Sequence, residues 1–244
     1  MIRVRGLYKA FDTPLLRGLD LDVPEGSFYG LIGPAACGKS VLLKVIAGLV
    51  APDAGSVRVG GREVVGASPD ALAEVRSGLG MLFQNNALFD FMTVGQNVAF
   101  PLERMFSLPQ AELRERVQSR LRAVGLDGMQ DRLPSQLSGG QRKRVGVARA
   151  AITEAPVLLY DEPAAGLDPV TSRRLFDLLR KDQRDHKTTL LVVSSDLDRL
   201  LDVCDRVGMM YRGRLVFEGS PEEARHTEDP HVRQFVQGLP DGPL

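Results

Sequence analysis

The sequence is poor in cysteine, carries no net charge and lacks a long apolar run. Its 244 residues include only Cys37 and Cys204, which excludes a disulfide framework and favours a reducing compartment. Basic and acidic residues both number 31, so nothing electrostatic favours binding to nucleic acid or to an anionic membrane. No apolar stretch approaches the roughly 20 residues that span a bilayer. The N-terminal segment MIRVRGLYKAFD has no signal-peptide core, so we expect a cytoplasmic protein.

What the sequence does contain is an alternation of short strands and amphipathic helices, interrupted by a helical middle. Strand-like runs separated by glycine and proline turns fill residues 1–80. The pattern is mostly helical from about 85 to 151, and the β/α alternation resumes at Val157. The dipeptide Arg212-Gly213 predicts a hairpin turn. Segment 227–244, rich in Pro, Gly and Asp, resembles a tail more than a part of the core.

The segment GPAACGKS, residues 33–40, matches the phosphate-binding pattern G-x-x-x-x-G-K-[ST] between a predicted strand and a predicted helix. In that setting the backbone N–H groups of the loop and of the helix N-terminus bind phosphate oxygens. Lys39 would neutralise the β- and γ-phosphates, and the Ser40 hydroxyl would bind Mg²⁺. The alternative is a chance glycine-rich turn, which the flanking strand and helix make improbable.

Two carboxylates, Asp161 and Glu162, follow the apolar run 157–160. At the carboxyl end of a buried strand, one carboxylate can hold the Mg²⁺ shell and the next can polarise a water molecule. Acidic residues after a strand are common, so this pair gains weight only beside the phosphate-binding loop.

A third motif, LSGGQ, occupies residues 137–141 and opens a helix whose N-terminus is a second anion site. The alternative is an ordinary glycine turn before a helix. We interpret the following basic run, Arg142-Lys143-Arg144, as mostly a solvated face.

Together these motifs resemble the nucleotide-binding subunit of ABC transporters over residues 1 to about 225. The resemblance implies an α/β P-loop NTPase core with an antiparallel β subdomain and an α-helical subdomain inserted at about 85–151. It implies an ATPase that uses ATP and Mg²⁺. Each ATP would be held between the phosphate-binding loop of one subunit (the P-loop, residues 33–41) and the LSGGQ motif of the other (the signature). The expected partners are a second copy of the chain and integral-membrane permease subunits at the cytoplasmic face of the inner membrane, and no nucleic acid.

The resemblance also assigns roles to single residues. Glu162 would be the catalytic base, assisted by Gln84, Ser195 and Lys39, and the metal ligands would be Ser40, Gln84 and Asp161. Phe11 would stack on adenine, although a core aromatic is an equal alternative. The remaining nucleotide contacts would come from the P-loop, the signature and the D-loop: Gly33, Pro34, Ala35, Ala36, Cys37, Gly38, Lys39, Ser40, Val41, Ser138, Gly139, Gly140, Gln141 and Asp168.

A narrower resemblance concerns the segments NNALFDFMTVGQNVAFPL and DPHVRQFVQGLPDGPL. Both are similar to the ATPases of MCE-type lipid transport systems, the Mla/Mkl group. This implies phospholipid transport, an MCE lipid-binding protein and a small accessory regulatory subunit as partners, and a C-terminal extension, residues 226–244, that contacts the neighbouring ATPase. A groove of this chain beside the helical subdomain would receive the permease's coupling helix. Candidates for its apolar lining are Phe89, Phe91, Met92 and Phe100; the alternative is that these residues belong to the core of the helical subdomain.

Other functions remain as alternatives. The chain could serve an importer for a non-lipid small solute. A soluble ABC protein acting on DNA or the ribosome is disfavoured, because the chain has neither a second cassette nor net positive charge.

Two positions depart from the family pattern. In the P-loop, Ala35 and Ala36 replace the usual Ser-Gly, and a Cβ at residue 36 disfavours positive φ, although we expect ATP binding to survive. In the corner Ser194-Ser195-Asp196, Ser195 occupies the position of the family's switch histidine, which binds the γ-phosphate. None of the three histidines of this chain is well placed to replace it, since His186 precedes the strand and His226 and His231 lie at or in the tail.

Ser195 allows three interpretations: a working ATPase in which Ser195 or water substitutes for histidine, a slow ATP-gated clamp, or an engineered, trapped form. Removing one well-placed donor costs on the order of 100- to 1000-fold in rate. Slow or adapted hydrolysis is favoured over none, because the other residues of the site are all present: Lys39, Ser40, Gln84, Asp161 and Glu162. Separately, the place of Cys37 at a helix N-terminus is expected to favour its thiolate and to make it reactive unless ATP is bound, with an inert small residue of the loop as an equal alternative.

Overall fold

The computed structural model describes residues 1–244 and contains two sheets. The first is antiparallel, with its four strands in the order β2-β1-β4-β5. Leu19, Leu21 and Val23 on one of these strands are buried, and the acidic residues between them point the other way, as strict alternation predicts. The strands are β1 (Ile2–Ala10), β2 (Pro14–Val23), β4 (Ala54–Val59) and β5 (Arg62–Glu63).

The second sheet has six strands in the order β10-β9-β3-β8-β7-β6 and is parallel except for the β9–β10 hairpin. Arg212 (φ 46°) and Gly213 (φ 78°) form the predicted turn, with the two positive φ angles that such a tight hairpin needs. The strands are β3 (Phe28–Ile32), β6 (Leu79–Leu82), β7 (Val157–Asp161), β8 (Thr189–Val193), β9 (Arg206–Tyr211) and β10 (Arg214–Gly219).

Helices cover both faces of the six-stranded sheet, and residues 83–156 contain no strand. None of the helices is both long enough and apolar enough to cross a bilayer. The helices are α1 (Lys39–Ile46), α2 (Pro69–Ser77), α3 (Val94–Met105), α4 (Gln110–Ala123), α5 (Gly139–Ala151), α6 (Pro169–His186), α7 (Leu197–Val203), α8 (Pro221–His226) and α9 (Pro230–Gln237), with a 3-10 turn at Pro134–Gln136.

The centre of the sheet is buried on both faces. All five residues of β3, of β7 and of β8 are buried, which explains their continuous apolar runs. Phe28 and Ile32 contribute to the core beneath the helical region, whereas Tyr29 and Leu31 contribute to the core shared with α1 and the antiparallel sheet. Because parallel strands end at one edge, the residues that follow β3, β7 and β8 meet there.

One helix was missed from the sequence. Between α1 and residue 80 we expected only strand-like runs, but α2 lies at Pro69–Ser77. Its signals were present: the Ser68 side chain accepts a hydrogen bond from the Ala71 N–H, and Pro69 occupies the first turn.

An ion pair joins the helical region to the sheet core. Arg120 on α4 donates two hydrogen bonds to the carboxylate of Asp182 on α6, at 2.5 and 2.8 Å. The side chains are only 13% and 16% exposed, so solvent screens the pair weakly.

Helix α5 lies unusually close to β6. A Cβ on Gly80 would be 1.9 Å from the carbonyl oxygen of Ala150, and a Cβ on Gly146 would be 2.6 Å from Leu82 Cδ1. Glycine at these two positions therefore sets the distance between helix and strand.

The C-terminal segment folds against its own chain. Val232 on α9 is fully buried within the larger core, so the expectation that segment 227–244 stays outside the core is wrong at this residue. The Gln234 side chain donates to the Leu239 carbonyl and accepts from the Leu244 N–H, and the Tyr211 hydroxyl donates to the Pro243 carbonyl.

Candidate functional site

The loop after β3 has the geometry of a phosphate cradle. Gly33 must be glycine, because a Cβ there would be 2.1 Å from the Met210 carbonyl oxygen. Gly38 (φ 106°) is the N-cap of α1, and no side chain caps this helix. The first N–H groups of α1 are thus available to an anion. Lys39 Nζ donates to the carbonyls of Gly33 and Pro34 at 2.7 and 2.8 Å, which places its charge inside the loop.

Ala36 adopts the left-handed conformation that its Cβ disfavours. Its φ is 59°, one of seven positive values at non-glycine residues in the chain. A left-handed alanine costs roughly 1–2 kcal/mol. Residue 36 therefore adopts a conformation that a glycine would adopt without this cost, and the loop stores the difference as strain.

Cys37 differs from our expectation. Its side chain is buried, and burial raises the pKa of the thiol, while Lys39, whose Nζ lies 3.7 Å from Sγ, offsets this only in part. The prediction that the helix N-terminus favours the thiolate is therefore wrong, because desolvation outweighs the nearby positive charge.

Ser40 and Asp161 come together at the edge of the sheet. Ser40 Oγ donates a hydrogen bond to Asp161 Oδ1 at 3.0 Å. Asp161 is 3% exposed, and burial raises its pKa against the lowering by Ser40 and by nearby lysines. A hydroxyl beside a carboxylate is an all-oxygen donor set, which fits Mg²⁺.

Glu162, the next residue, is held in place by its backbone and its side chain. It has a positive φ of 51°, and its N–H donates to the Val193 carbonyl at 2.9 Å. Its Oε2 accepts two hydrogen bonds from Ser195, one from the N–H and one from Oγ, both at 3.0 Å. The sequence placed these two residues at one edge of the sheet, but the direct contact between them was not foreseen.

The other residues of the corner Ser194-Ser195-Asp196 support this position. Ser194 is buried, and its Oγ accepts a hydrogen bond from the Asp196 N–H. The Asp196 carboxylate accepts from the hydroxyl of Ser172, a buried residue of α6. The histidines are engaged elsewhere: His186 contacts the Asp182 carbonyl and His226 the Glu222 carbonyl.

The motif LSGGQ begins α5 and satisfies its own polar groups. Ser138 Oγ accepts from the Gln141 N–H, and Gln141 Oε1 accepts from the Ser138 N–H, which is a capping box. Ser138 and Gly139 are exposed. Asp168 likewise caps α6, accepting from the N–H groups of Val170 and Thr171.

Lys143 was misinterpreted from the sequence. It is 6% exposed, not solvated, and its Nζ donates to the carbonyls of Gln84 at 2.5 Å and Glu162 at 3.1 Å. The signal lay in the spacing, because positions three, four and seven residues further on are the small or apolar Gly146, Val147 and Ala150, all buried.

Phe11 is a surface residue. Its side chain is 60% exposed, which rules out the core interpretation, and Lys9 Nζ lies 5.3 Å from its ring centroid. A groove beside the P-loop is lined by Leu15, Ala36 and Arg212.

Comparison with known proteins bears directly on this geometry. A sequence model of the ABC transporter family matches residues 16–165, which include the P-loop, the LSGGQ motif, Asp161 and Glu162. The chain belongs to the ABC transporter family. It is the ATP-binding, ATP-hydrolysing subunit of such a transporter, and the predicted P-loop fold is confirmed.

Relatives in this family cover most or all of the chain. The chain is 38% identical over 244 residues to the probable ribonucleotide transport ATP-binding protein Mkl of Mycobacterium leprae, covering 100% of this chain and 70% of that protein. It is 38% identical over 263 residues to trigalactosyldiacylglycerol 3 of Arabidopsis thaliana, covering 100% and 75%. The methionine import ATP-binding protein MetN of Thermobifida fusca is 42% identical over 224 residues, covering 90% and 70%. The resemblance to the Mkl group is thereby confirmed.

A solved ABC cassette has the same fold. The dimeric structure of a bacterial ABC transporter cassette superposes with a TM-score of 0.86 at 28% identity, covering 91% of this chain and 99% of that one.

This ABC subunit also presents aromatic side chains beyond the nucleotide site. The Phe89 ring centroid is 4.9 Å from that of Phe100 and 5.9 Å from that of Phe91, which is 78% exposed. Asn97 is fully buried and fixes the loop that carries them, since its amide donates to the carbonyls of Phe89, Met92 and Thr93. We call Phe89, Phe91 and Phe100 the aromatic surface.

Proposed function

We propose that this ATPase drives phospholipid transport through a membrane permease. The observation that carries the proposal is the full-length match, C-terminal extension included, to two relatives, one of which is named after a galactolipid. The match to the methionine importer covers less of the chain. The Mkl relative is named for ribonucleotide transport, so its name does not itself supply the lipid.

The working unit is proposed to be a homodimer. The P-loop cradle and the LSGGQ motif each form within one chain. Ser138 and Gln141 of the motif bond each other in the helix cap, and Ser138 and Gly139 are exposed to solvent. A second copy would supply its motif to the γ-phosphate over the first copy's P-loop. A solved cassette of this fold is dimeric.

Each residue of the nucleotide site has a proposed task. Phe11 stacks on the adenine, and the P-loop residues 33–41 bind the phosphates. Ser40, Asp161 and Gln84 would hold Mg²⁺, which when bound neutralises charge on the phosphates. Glu162 orients the attacking water and accepts its proton, and Asp168 lies at the interface between the two copies.

Hydrolysis is proposed to be slow. Glu162 Oε2 is already engaged by Ser195, and a hydroxyl offers no positive charge to the phosphate. The chain would then act as a clamp that closes on ATP and reopens slowly.

The aromatic surface, together with Met92, is the proposed docking site for the permease's coupling helix. Phe91 is largely exposed and would bury its ring on docking. This contact would hold the ATPase at the cytoplasmic face of the inner membrane. An MCE lipid-binding protein and an accessory regulatory subunit complete the proposed assembly, and residues 226–244 would contact the neighbouring ATPase.

The test is isolation of the assembly followed by a transport assay. The chain is purified with its membrane partners, the partners are identified by mass spectrometry, and the complex is placed in liposomes with a fluorescent phospholipid. An MCE protein in the complex and ATP-dependent lipid movement that is lost in Glu162→Gln are expected. A periplasmic solute-binding protein, with no lipid movement, would instead favour an importer for a small non-lipid solute, the alternative suggested by the MetN relative.

A further inference from the structure

Lys143 joins two separate parts of the nucleotide site. Its Nζ, in the second turn of α5, donates to the Gln84 carbonyl, 59 residues away in sequence, and to the Glu162 carbonyl, 19 residues away. The Asp161 and Glu162 carboxylates are also near enough to stabilise its charge. One ammonium group thus contacts the loop after β6 and the strand end that carries the proposed base.

Burying the ammonium group of Lys143 costs desolvation free energy. Lys143 is buried, and burial lowers its pKa, because desolvation disfavours the charged form. The neighbouring face of α5 consists of small and apolar residues, so an apolar side chain of the same length would satisfy packing alone. The amine is explained by the carbonyls that it binds.

The Glu162 peptide needs such a partner. A positive φ at a non-glycine residue is strained, and the conformation persists only where its surroundings enforce it. The N–H of Glu162 is fixed by Val193, and its carbonyl accepts one bond from Lys143 Nζ at 3.1 Å and one from the Ala165 N–H at 3.3 Å. Loss of the Lys143 bond would leave only the longer turn bond on this carbonyl, and the looser backbone would let the carboxylate shift from its position beside Ser195.

The loop after β6 is held by a second cation of the same helix. Arg149 donates to the carbonyls of Asn86 and Ala87, which have φ angles of 60° and 48°. Its guanidinium carbon also lies 5.9 Å from the Phe89 ring centroid. Two cations of α5 therefore bind three carbonyls of residues 84–87, and this loop leads directly into the aromatic surface.

We infer that Lys143 is a positioning residue for ATP hydrolysis, which fixes the backbone of Glu162 relative to the loop 84–87 and so links the catalytic carboxylate to the aromatic surface. The inference rests on the proposed role of Glu162 as the base. It is independent of which solute the transporter moves.

The experiment compares Lys143→Met with Arg144→Met in the full chain. Arg144 is a matched control, because it is the next residue of α5 and donates to two carbonyls, those of Val124 and Gly125, both at 3.1 Å, away from the nucleotide site. Turnover and KM for ATP are measured by phosphate release, nucleotide affinity by fluorescence, and folding by thermal melting. Lys143→Arg keeps the charge and the donors and serves as the rescue variant.

Lys143→Met should lower kcat by roughly 10- to 100-fold, the effect of misplacing a reacting group by about 1 Å. KM and nucleotide affinity should change less than about threefold, Lys143→Arg should recover part of kcat, and Arg144→Met should keep kcat near wild type. An equal loss of kcat in both Met variants, an unchanged kcat in Lys143→Met, or a loss confined to KM would each overturn the inference. Glu162→Gln is assayed in parallel: wild-type turnover in that variant would remove the proposed base itself, whatever Lys143→Met does.

Discussion

Glu162 Oε2 accepts two hydrogen bonds from Ser195, one from the backbone N–H and one from the hydroxyl. The residue that stands at the family's histidine position thus contacts the proposed base directly. In this conformation the corner after β8 holds the carboxylate.

Ser195→His should raise ATP turnover by roughly 10-fold or more, because an imidazole supplies a donor to the charge that develops on the phosphate. Ser195→Ala removes one bond to Glu162 and adds no donor, so it should change turnover by much less. Phosphate release at saturating ATP measures both variants. Turnover in Ser195→His at or below the wild-type value would show that the serine is not what limits hydrolysis.

Ala36→Gly should stabilise the protein. Removing the strain of a left-handed alanine should stabilise the folded state by roughly 1–2 kcal/mol. The greater conformational freedom of glycine should stabilise the unfolded chain by roughly 0.4–1 kcal/mol. The free energy of unfolding should therefore rise by about 0.5–1 kcal/mol. ATP should also bind more tightly, since the loop can approach the phosphates more closely.

Ala35→Gly is the matched control for this change, because residue 35 has no positive φ. It should lower the free energy of unfolding in urea. A loss of stability in both variants would contradict the strain assigned to residue 36.

Cys37 should react slowly with iodoacetamide near neutral pH. Burial raises the pKa of its thiol, so the thiolate fraction at pH 7 is smaller than for a free cysteine, and the rate should keep rising above pH about 8.5. Bound ATP should slow labelling further. Cys204 is also buried, with a pKa raised to about 12, and the variant Cys204→Ala isolates the Cys37 signal. Fast labelling that levels off below pH 7 would contradict the assignment.

Asp182→Ala should lower the free energy of unfolding by about 2–3 kcal/mol, because it leaves the weakly exposed Arg120 without its carboxylate. Glu112→Ala is the control, since its pair with Arg116 is 42–45% exposed and should contribute no more than about 0.5 kcal/mol. Urea titration measures both, and equal effects would show that burial of the first pair adds nothing.

The sequence predicted the parts of this site that consist of local patterns. A glycine-rich turn before a helix, a carboxylate pair after an apolar run and a serine that caps α5 are all legible within short segments. Contacts between distant segments were not. Lys143 resembled its solvated neighbours, because the sequence does not display the carbonyls of Gln84 and Glu162 that it binds. The sign of the Cys37 pKa shift was also missed, since it depends on burial by residues from other elements.

The close packing of α5 on β6 sets a limit on how this protein can diversify. Even alanine at position 80 would place its Cβ 1.9 Å from a backbone oxygen, far inside van der Waals contact distance, so a saturation library should retain glycine alone there. The distance between α5 and β6 therefore cannot be changed stepwise by substitutions at residue 80. Adaptation to a new transport partner is left to exposed positions such as Phe91, whose side chain is 78% exposed.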